Sequence, residues 1–313
     1  NWGIHELKER MTAFSRMIEV ENKLQDKQKV KKGQVAVADF LKNDTKSITL
    51  SNNLMSAYIN HKRGGQIYEL DLYGSRLNIL ASHNPERHSP PGPMVSKYSG
   101  ISFADHFMQS GVDRESFLNT SFTKRDKVFS ESFEYNIKNT SSSTTVLLNR
   151  QGAISIDDKQ YSVNIEKAFS LENNKSKLGF AYKLSNYLLV PFSFTFATEF
   201  NFALAGALPS EGLIEIDHVK YPNICWERYT FKDKTRLLIH DRFTGIKIRF
   251  NTRKPVDIWC VPSSTDHSAK SKYQGTRIIL ASTVTLKENS SWSMQGKLSF
   301  STSGRKDFFS DAI

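Results

Sequence analysis

Residues 194–206 read FTFATEFNFALAG, an alternation with a period of two. Phe194, Phe196, Thr198, Phe200, Phe202 and Leu204 take the even positions, and Thr195, Ala197, Glu199, Asn201 and Ala203 the odd ones. A period of two sends these sets to opposite faces of a sheet. The phenylalanine row needs a second layer over it, so the stretch predicts a strand whose aromatic face forms the core between two sheets. The other row sets an acid and an amide side by side. A solvated sheet face is the ordinary use of such a row, and a cleft is the other.

Working outward, the text from about residue 120 to 300 is strand, turn, strand, as in KVFSESFEYNIKN, GAISIDDKQYSVNIEKAFSL, KLGFAYKLSN, GIKIRFN and SWSMQGKLSF. Asn, Asp, Gly and Ser punctuate it, helical periodicity is almost absent and no unit repeats at a fixed period. A large antiparallel sandwich follows, not a propeller or solenoid. Earlier strands are predicted between Ser47 and Ser82, with Gly64, Gly65 and Gly74 as turns. In QIYELDL the alternation puts Ile67, Glu69 and Asp71 on one side and Tyr68, Leu70 and Leu72 on the other. Near the N-terminus, Ile4, Leu7, Met11, Phe14, Ile18 and Leu24 recur at helical spacing, an apolar stripe that needs a partner. The expected organisation is a helical segment over 1–27, a basic linker over 28–45, the sandwich over 46–302 and a tail over 303–313. Residues 82–100 carry four of the nine prolines and read as a long loop.

Composition narrows the function classes. Lys plus Arg exceed Asp plus Glu by 43 to 32, giving +11, which raises nucleic acid as a partner. The basic residues are dispersed, however, the densest run DKQKVKK reads as a solvated linker, and no nucleic-acid motif accompanies it, so nucleic acid is disfavoured. Two cysteines, Cys225 and Cys260, are too few for a disulfide framework or a cysteine metal site and read as buried small hydrophobes. No stretch reaches the length of a membrane span and no export signal is visible, so a cytoplasmic protein off the membrane is expected.

Phosphate-cradling glycine loops, a nucleophile elbow and a His-Glu-x-x-His helix are all missing from the sequence. No catalytic residue, cofactor or metal site is therefore assigned within this chain. What remains is polar residues inside apolar segments. Asp105 and His106 interrupt the hydrophobic run ISFADHFM, where an acid and an imidazole can exchange protons, hold a sugar hydroxyl or bond to backbone. Asp266, His267, Tyr273 and Gln274 fall in the loop STDHSAKSKYQG, whose mixture of amide, acid and aromatic suits carbohydrate or a rigid surface turn. With Glu199 and Asn201, the candidate substrate-binding residues are Asp105, His106, Tyr273 and Gln274.

Several segments, taken in order, carry a resemblance. These are HKRGGQIYELDL (61–72), RLNILASHNPERHS (76–89), ISFADHFM (101–108), ATEFNFALAG (197–206) and DIWCVPSSTDHSAKSKYQGTRIIL (257–280). Through Gly64, Gly65, Glu69, Asp105, His106, Phe107, Glu199, Phe200, Asn201, Trp259, Pro262, Tyr273, Gln274 and Gly275, the chain resembles the C-terminal domain of the α-amylase and 4-α-glucanotransferase enzymes of glycoside hydrolase family 57. The resemblance implies a mainly β fold, a two-sheet supersandwich of galactose-mutarotase-like type preceded by a short helical segment. It further implies a role beside a catalytic barrel, which residues 1–60 have no room to supply, and an α-glucan oligosaccharide or polysaccharide as partner. A stand-alone carbohydrate-binding or protein-interaction module is the alternative, and mutarotase-like catalysis by Asp105 and His106 a third reading.

Overall fold

A computed structural model describes residues 7–28, 34–39, 46–80, 101–119, 131–156, 159–204, 212–224, 227–264 and 273–302. The architecture is mainly β. A small sheet of β1 (Gln34–Ala38), β2 (Ser47–Ser51), β3 (Met55–Asn60), β4 (Gln66–Leu72) and β5 (Leu77–Asn78) runs in that order, each strand antiparallel to the next. Strand β1 lies inside the stretch read as a linker; its five residues pair with β2 from Gln34 opposite Ser51 to Ala38 opposite Ser47.

Helix α1 (Leu7–Gln28) packs on β5 and the turn before it. Leu7, Met11 and Ile18 are buried and Phe14 partly so, which gives the predicted stripe its partner. Polar ties fix the helix at two points: the guanidinium of Arg76, in the turn before β5, donates to Glu19 at 2.6 Å, and Arg10 donates to Gln274, 264 positions further along the chain. Among the described residues, no helix is long and apolar enough to cross a membrane.

The alternation expected in QIYELDL does not hold. Tyr58 opposes Glu69 but Ile59 opposes Ile67, so Tyr68 is an extra residue, a β-bulge that inverts the phase. Ile67 thereby joins Leu70 and Leu72 in the core, and Glu69 and Asp71 come within electrostatic reach of Glu21 of α1 and the Tyr58 hydroxyl instead. Asp71 is fully buried, and among the described residues neither carboxyl oxygen receives a hydrogen bond from an N–H or O–H donor. A proton shared with Glu69 is what remains to satisfy it. Burial first, and the Glu69 carboxylate second, push Asp71 up to about 10; burial pushes Glu69 up to about 7 and also raises Glu21.

The main body is built from β6 (Ala104–Met108), β7 (Glu134–Asn139), β8 (Ser143–Ile156), β9 (Lys159–Glu172), β10 (Lys177–Ser185), β11 (Phe192–Phe202), β12 (Gly212–Ile216), β13 (Val219–Pro222), β14 (Tyr229–Asp241), β15 (Ile246–Ser264), β16 (Tyr273–Leu286) and β17 (Ser291–Thr302). One layer runs β13-β12-β14-β15-β17-β10-β9-β8-β7, and the other runs β6-β11-β16. Strand β15 joins them. Its first half, Ile246–Thr252, pairs with β17, and its second half, from Asp257, pairs with β16. The two layers face each other across aromatic rings: Phe200 of β11 lies 5.1 Å from Phe250 of β15 and 6.0 Å from Phe180 of β10, and Phe196 lies 5.1 Å from Tyr182. Phe194, Phe196, Phe200 and Phe202 are fully buried, as their phase requires.

Candidate functional site

The centre of the β6-β11-β16 layer carries a charged group on each of its faces, because strand pleating sends neighbouring residues opposite ways. Asp105 opposes Thr198 and His106 opposes Ala197 across the β6–β11 ladder. The two do not act as a pair: Asp105 turns inward between the layers and His106 turns outward.

On the outward face Glu199 is the hub, with no exposed surface. Arg277 of β16 grips it through Nε at 3.1 Å and Nη2 at 3.3 Å. His106 Nε2 sits 3.1 Å from the second carboxylate oxygen. Asn201 donates from Nδ2 to Glu199 Oε1 at 3.0 Å and to the Ile101 carbonyl at 2.9 Å. The register explains the meeting, since Asn201 opposes Arg277 directly and Glu199 is its diagonal neighbour. Short helix α2 (Arg114–Asn119) supplies Phe117 as a cover, its ring perpendicular to His106 at 4.9 Å and 5.8 Å from the Arg277 guanidinium. Burial alone would raise the Glu199 carboxyl, but the Arg277 charge and His106 outweigh it and hold the group well below the usual carboxylate range. The face is therefore neither solvated nor open, contrary to the ordinary reading of an acid and amide row.

On the inward face Asp105 meets Lys167 of β9, with Nζ 2.7 Å from Oδ2 and the ammonium fully buried. Lys167 also donates to the carbonyls of Gly64 at 2.9 Å and Phe103 at 3.0 Å, which uses all three of its protons. Tyr182 donates to Asp105 Oδ1 at 2.8 Å, and its oxygen lies 3.0 Å from Thr198 Oγ1. The Gly64 carbonyl reaches this point through a turn in which Gly64 and Gly65 both adopt left-handed backbone, φ 68° and 59°. A Cβ on Gly65 would come within 2.6 Å of Leu148 Cδ1. Burial pushes the Lys167 ammonium down, Asp105 pulling partly back, and it pushes the Tyr182 hydroxyl up.

The remaining candidates stand apart from these networks. Tyr273 is buried, its hydroxyl 2.7 Å from Thr276 Oγ1. Gln274 is buried and takes the hydrogen bond from Arg10 of α1. Asp266 and His267 lie outside the described residues, as do the loop expected over 82–100 and Cys225. Cys260 is a free, buried thiol whose pKa burial raises, as expected of a small hydrophobe. Among the described residues, no group of His, Cys, Asp or Glu side chains is placed to hold a metal ion.

Arg277, Lys167, Tyr182 and Arg10 were missed by sequence reasoning. Lys167 carried a usable signal, since it stands in the apolar row Val163, Ile165, Phe169, Leu171 of its own strand, where a lysine must find a buried counter-charge.

Similarity to known proteins agrees with this architecture. None of the curated proteins matches the chain. The 4-alpha-glucanotransferase from Thermococcus litoralis superposes with a TM-score of 0.67 at 15% identity, over 95% of this chain and 43% of that one. This chain therefore spans under half the length of that enzyme. A galactose mutarotase-like protein from Clostridium acetobutylicum superposes with a TM-score of 0.61 at 12% identity, over 88% of this chain and 100% of that one. A putative aldose 1-epimerase from Escherichia coli K12 gives 0.53 at 13% identity, over 86% of this chain and 100% of that one. At these identities the likeness is one of fold. The sequence match is of a different kind, because residues 95–295 fit a family described as the C-terminal domain of alpha-amylase/4-alpha-glucanotransferase, more than half of the chain, and the protein belongs to that family.

Proposed function

We propose that this chain is the non-catalytic C-terminal sandwich of an α-glucan-processing enzyme of the amylase or 4-α-glucanotransferase type, the glycoside hydrolase family 57 kind, and that it supports a catalytic barrel. The observation that carries this reading is the state of Glu199. Glycosidic bond chemistry needs an acid and a carboxylate that a substrate can reach. Glu199 is sealed from solvent and gripped by Arg277, His106 and Asn201, and Asp105 is committed to Lys167 and Tyr182. Such groups fix a fold; they do not exchange protons with a sugar. The same burial argues against mutarotase-like catalysis by Asp105 and His106, which lie on opposite faces of their strand.

The test uses the chain alone. Its products from maltoheptaose are followed by chromatography, and the interconversion of glucose anomers by polarimetry. Neither should exceed the rate in buffer. Turnover in either assay that is lost in Glu199→Gln would overturn the proposal.

A further inference from the structure

Strand β15 changes partner in mid-course, and a groove opens where it does so. Residues 253–256 pair with neither β17 nor β16, whose registers on β15 stop at Thr252 and resume at Asp257. Pro255 has no N–H to offer a ladder. On the neighbouring strand β14 the register slips between Phe231 and Lys234, and Asp233 takes left-handed backbone, φ 53°. Held apart by this corner, β16 and β17 leave a cavity of about 310 Å³ between them. That is the lower end of the range for small-molecule sites.

Its lining is of two kinds. Trp259 and Trp292 bring indoles, the first buried and the second only partly so. The Phe196 ring stands against Trp292 at 5.5 Å and an interplanar angle of 62°, so the indole is held from its core side. Around them stand Asp233, Lys254, Asp257 and Thr283. Asp257 Oδ1 accepts the Asp233 backbone N–H at 3.1 Å, which orients the Asp257 carboxylate. The charges are mixed, two acids and a base, so the groove selects neither a strong anion nor a cation. A partly bare indole beside carboxylates, an ammonium and hydroxyls is the pairing that suits a neutral ring with one apolar face and a rim of hydroxyls.

We propose that this corner groove is a saccharide subsite that holds a glucosyl unit of an α-glucan, stacked on Trp292 and hydrogen-bonded by Asp257 and Lys254. The proposal rests on the α-glucan reading above and adds to it a binding role for the sandwich itself. It lies apart from Glu199, His106 and Arg277, none of which lines the cavity.

The experiment is calorimetric titration of the whole chain with maltoheptaose, with tryptophan fluorescence as a second readout. Wild-type protein should bind with a fluorescence change. Trp292→Ala should weaken binding about tenfold, the scale of one aromatic contact. Because Trp292 also packs on Phe196, Lys254→Ala and Asp257→Asn serve as partners that leave the core intact, and each should weaken binding several-fold with unchanged melting. Failure of wild-type protein to bind, or binding unaltered in all three variants, overturns the subsite and leaves the scaffold reading standing. Turnover of maltoheptaose overturns that reading instead.

Discussion

Replacing Asp71 by asparagine should stabilise this protein at neutral pH. Asp71 sits sealed between the small sheet and α1 with Glu69 and Glu21 beside it, and burial with the Glu69 charge push it up to about 10 from an ordinary 3.8. At pH 7 the folded chain therefore keeps a proton that the unfolded chain has released. Holding that proton costs 1.36 kcal/mol for each pH unit above 3.8, which over about three units sets a ceiling of about 4 kcal/mol. Asparagine has the same shape, carries no charge and can donate to the Glu69 carboxylate, so the cost disappears. The sign follows from the raised pKa. Wild-type stability from this group is intact below about 3.8 and is lost as pH climbs towards 10, so the advantage of the variant should be near zero at pH 4 and grow through pH 7 to 9. Urea unfolding of both proteins at pH 4, 5.5, 7 and 8.5 reads this directly. A variant less stable than wild type at pH 7, or a difference that stays flat with pH, would refute the argument that Asp71 is buried protonated.

Two further outcomes follow from the charged networks. Lys167→Met should cost about 3–5 kcal/mol by leaving Asp105 buried without its counter-charge, and adding Asp105→Leu should restore much of that, which a double-mutant cycle of unfolding free energies measures. Glu199→Gln should cost about 3 kcal/mol above pH 5, with Arg277 losing its carboxylate. Because the Glu199 pKa is depressed, its contribution is present above the ordinary carboxylate range and fades as pH falls, so wild type and variant should converge in acid unfolding profiles.

Much of the fold was legible because the β11 phase is uninterrupted. Four phenylalanines and a leucine at alternate positions, broken only by Thr198, leave one way to bury the row, and the second layer follows from it. The same alternation misled at β4, where one bulged residue, Tyr68, moved Glu69 and Asp71 away from the side shared with Ile67. Nothing local marks a bulge when the extra residue is a tyrosine. The linker hid β1 for a related reason: QVAVA is only five residues long and reads as a strand only once β2 is beside it. At the candidate site the sequence supplied Glu199, Asn201, Asp105 and His106 but not Arg277, Lys167 and Tyr182. Arg277 is 78 positions from Glu199, and only the β11–β16 register brings the two together. Adjacency also suggested a pair in Asp105 and His106 that strand geometry separates. The corner groove was invisible, because it depends on where one long strand exchanges neighbours.

If the sandwich serves a catalytic barrel and performs no sugar chemistry itself, its effect appears only in the barrel's activity. The most direct measurement is the rate of maltoheptaose conversion by a catalytic barrel of the same family, supplied as a separate polypeptide, with and without this chain. The chain alone should give no conversion, and the barrel should convert faster or resist heat better when the chain is added. Conversion by the chain alone, or a barrel indifferent to its presence, would contradict this role.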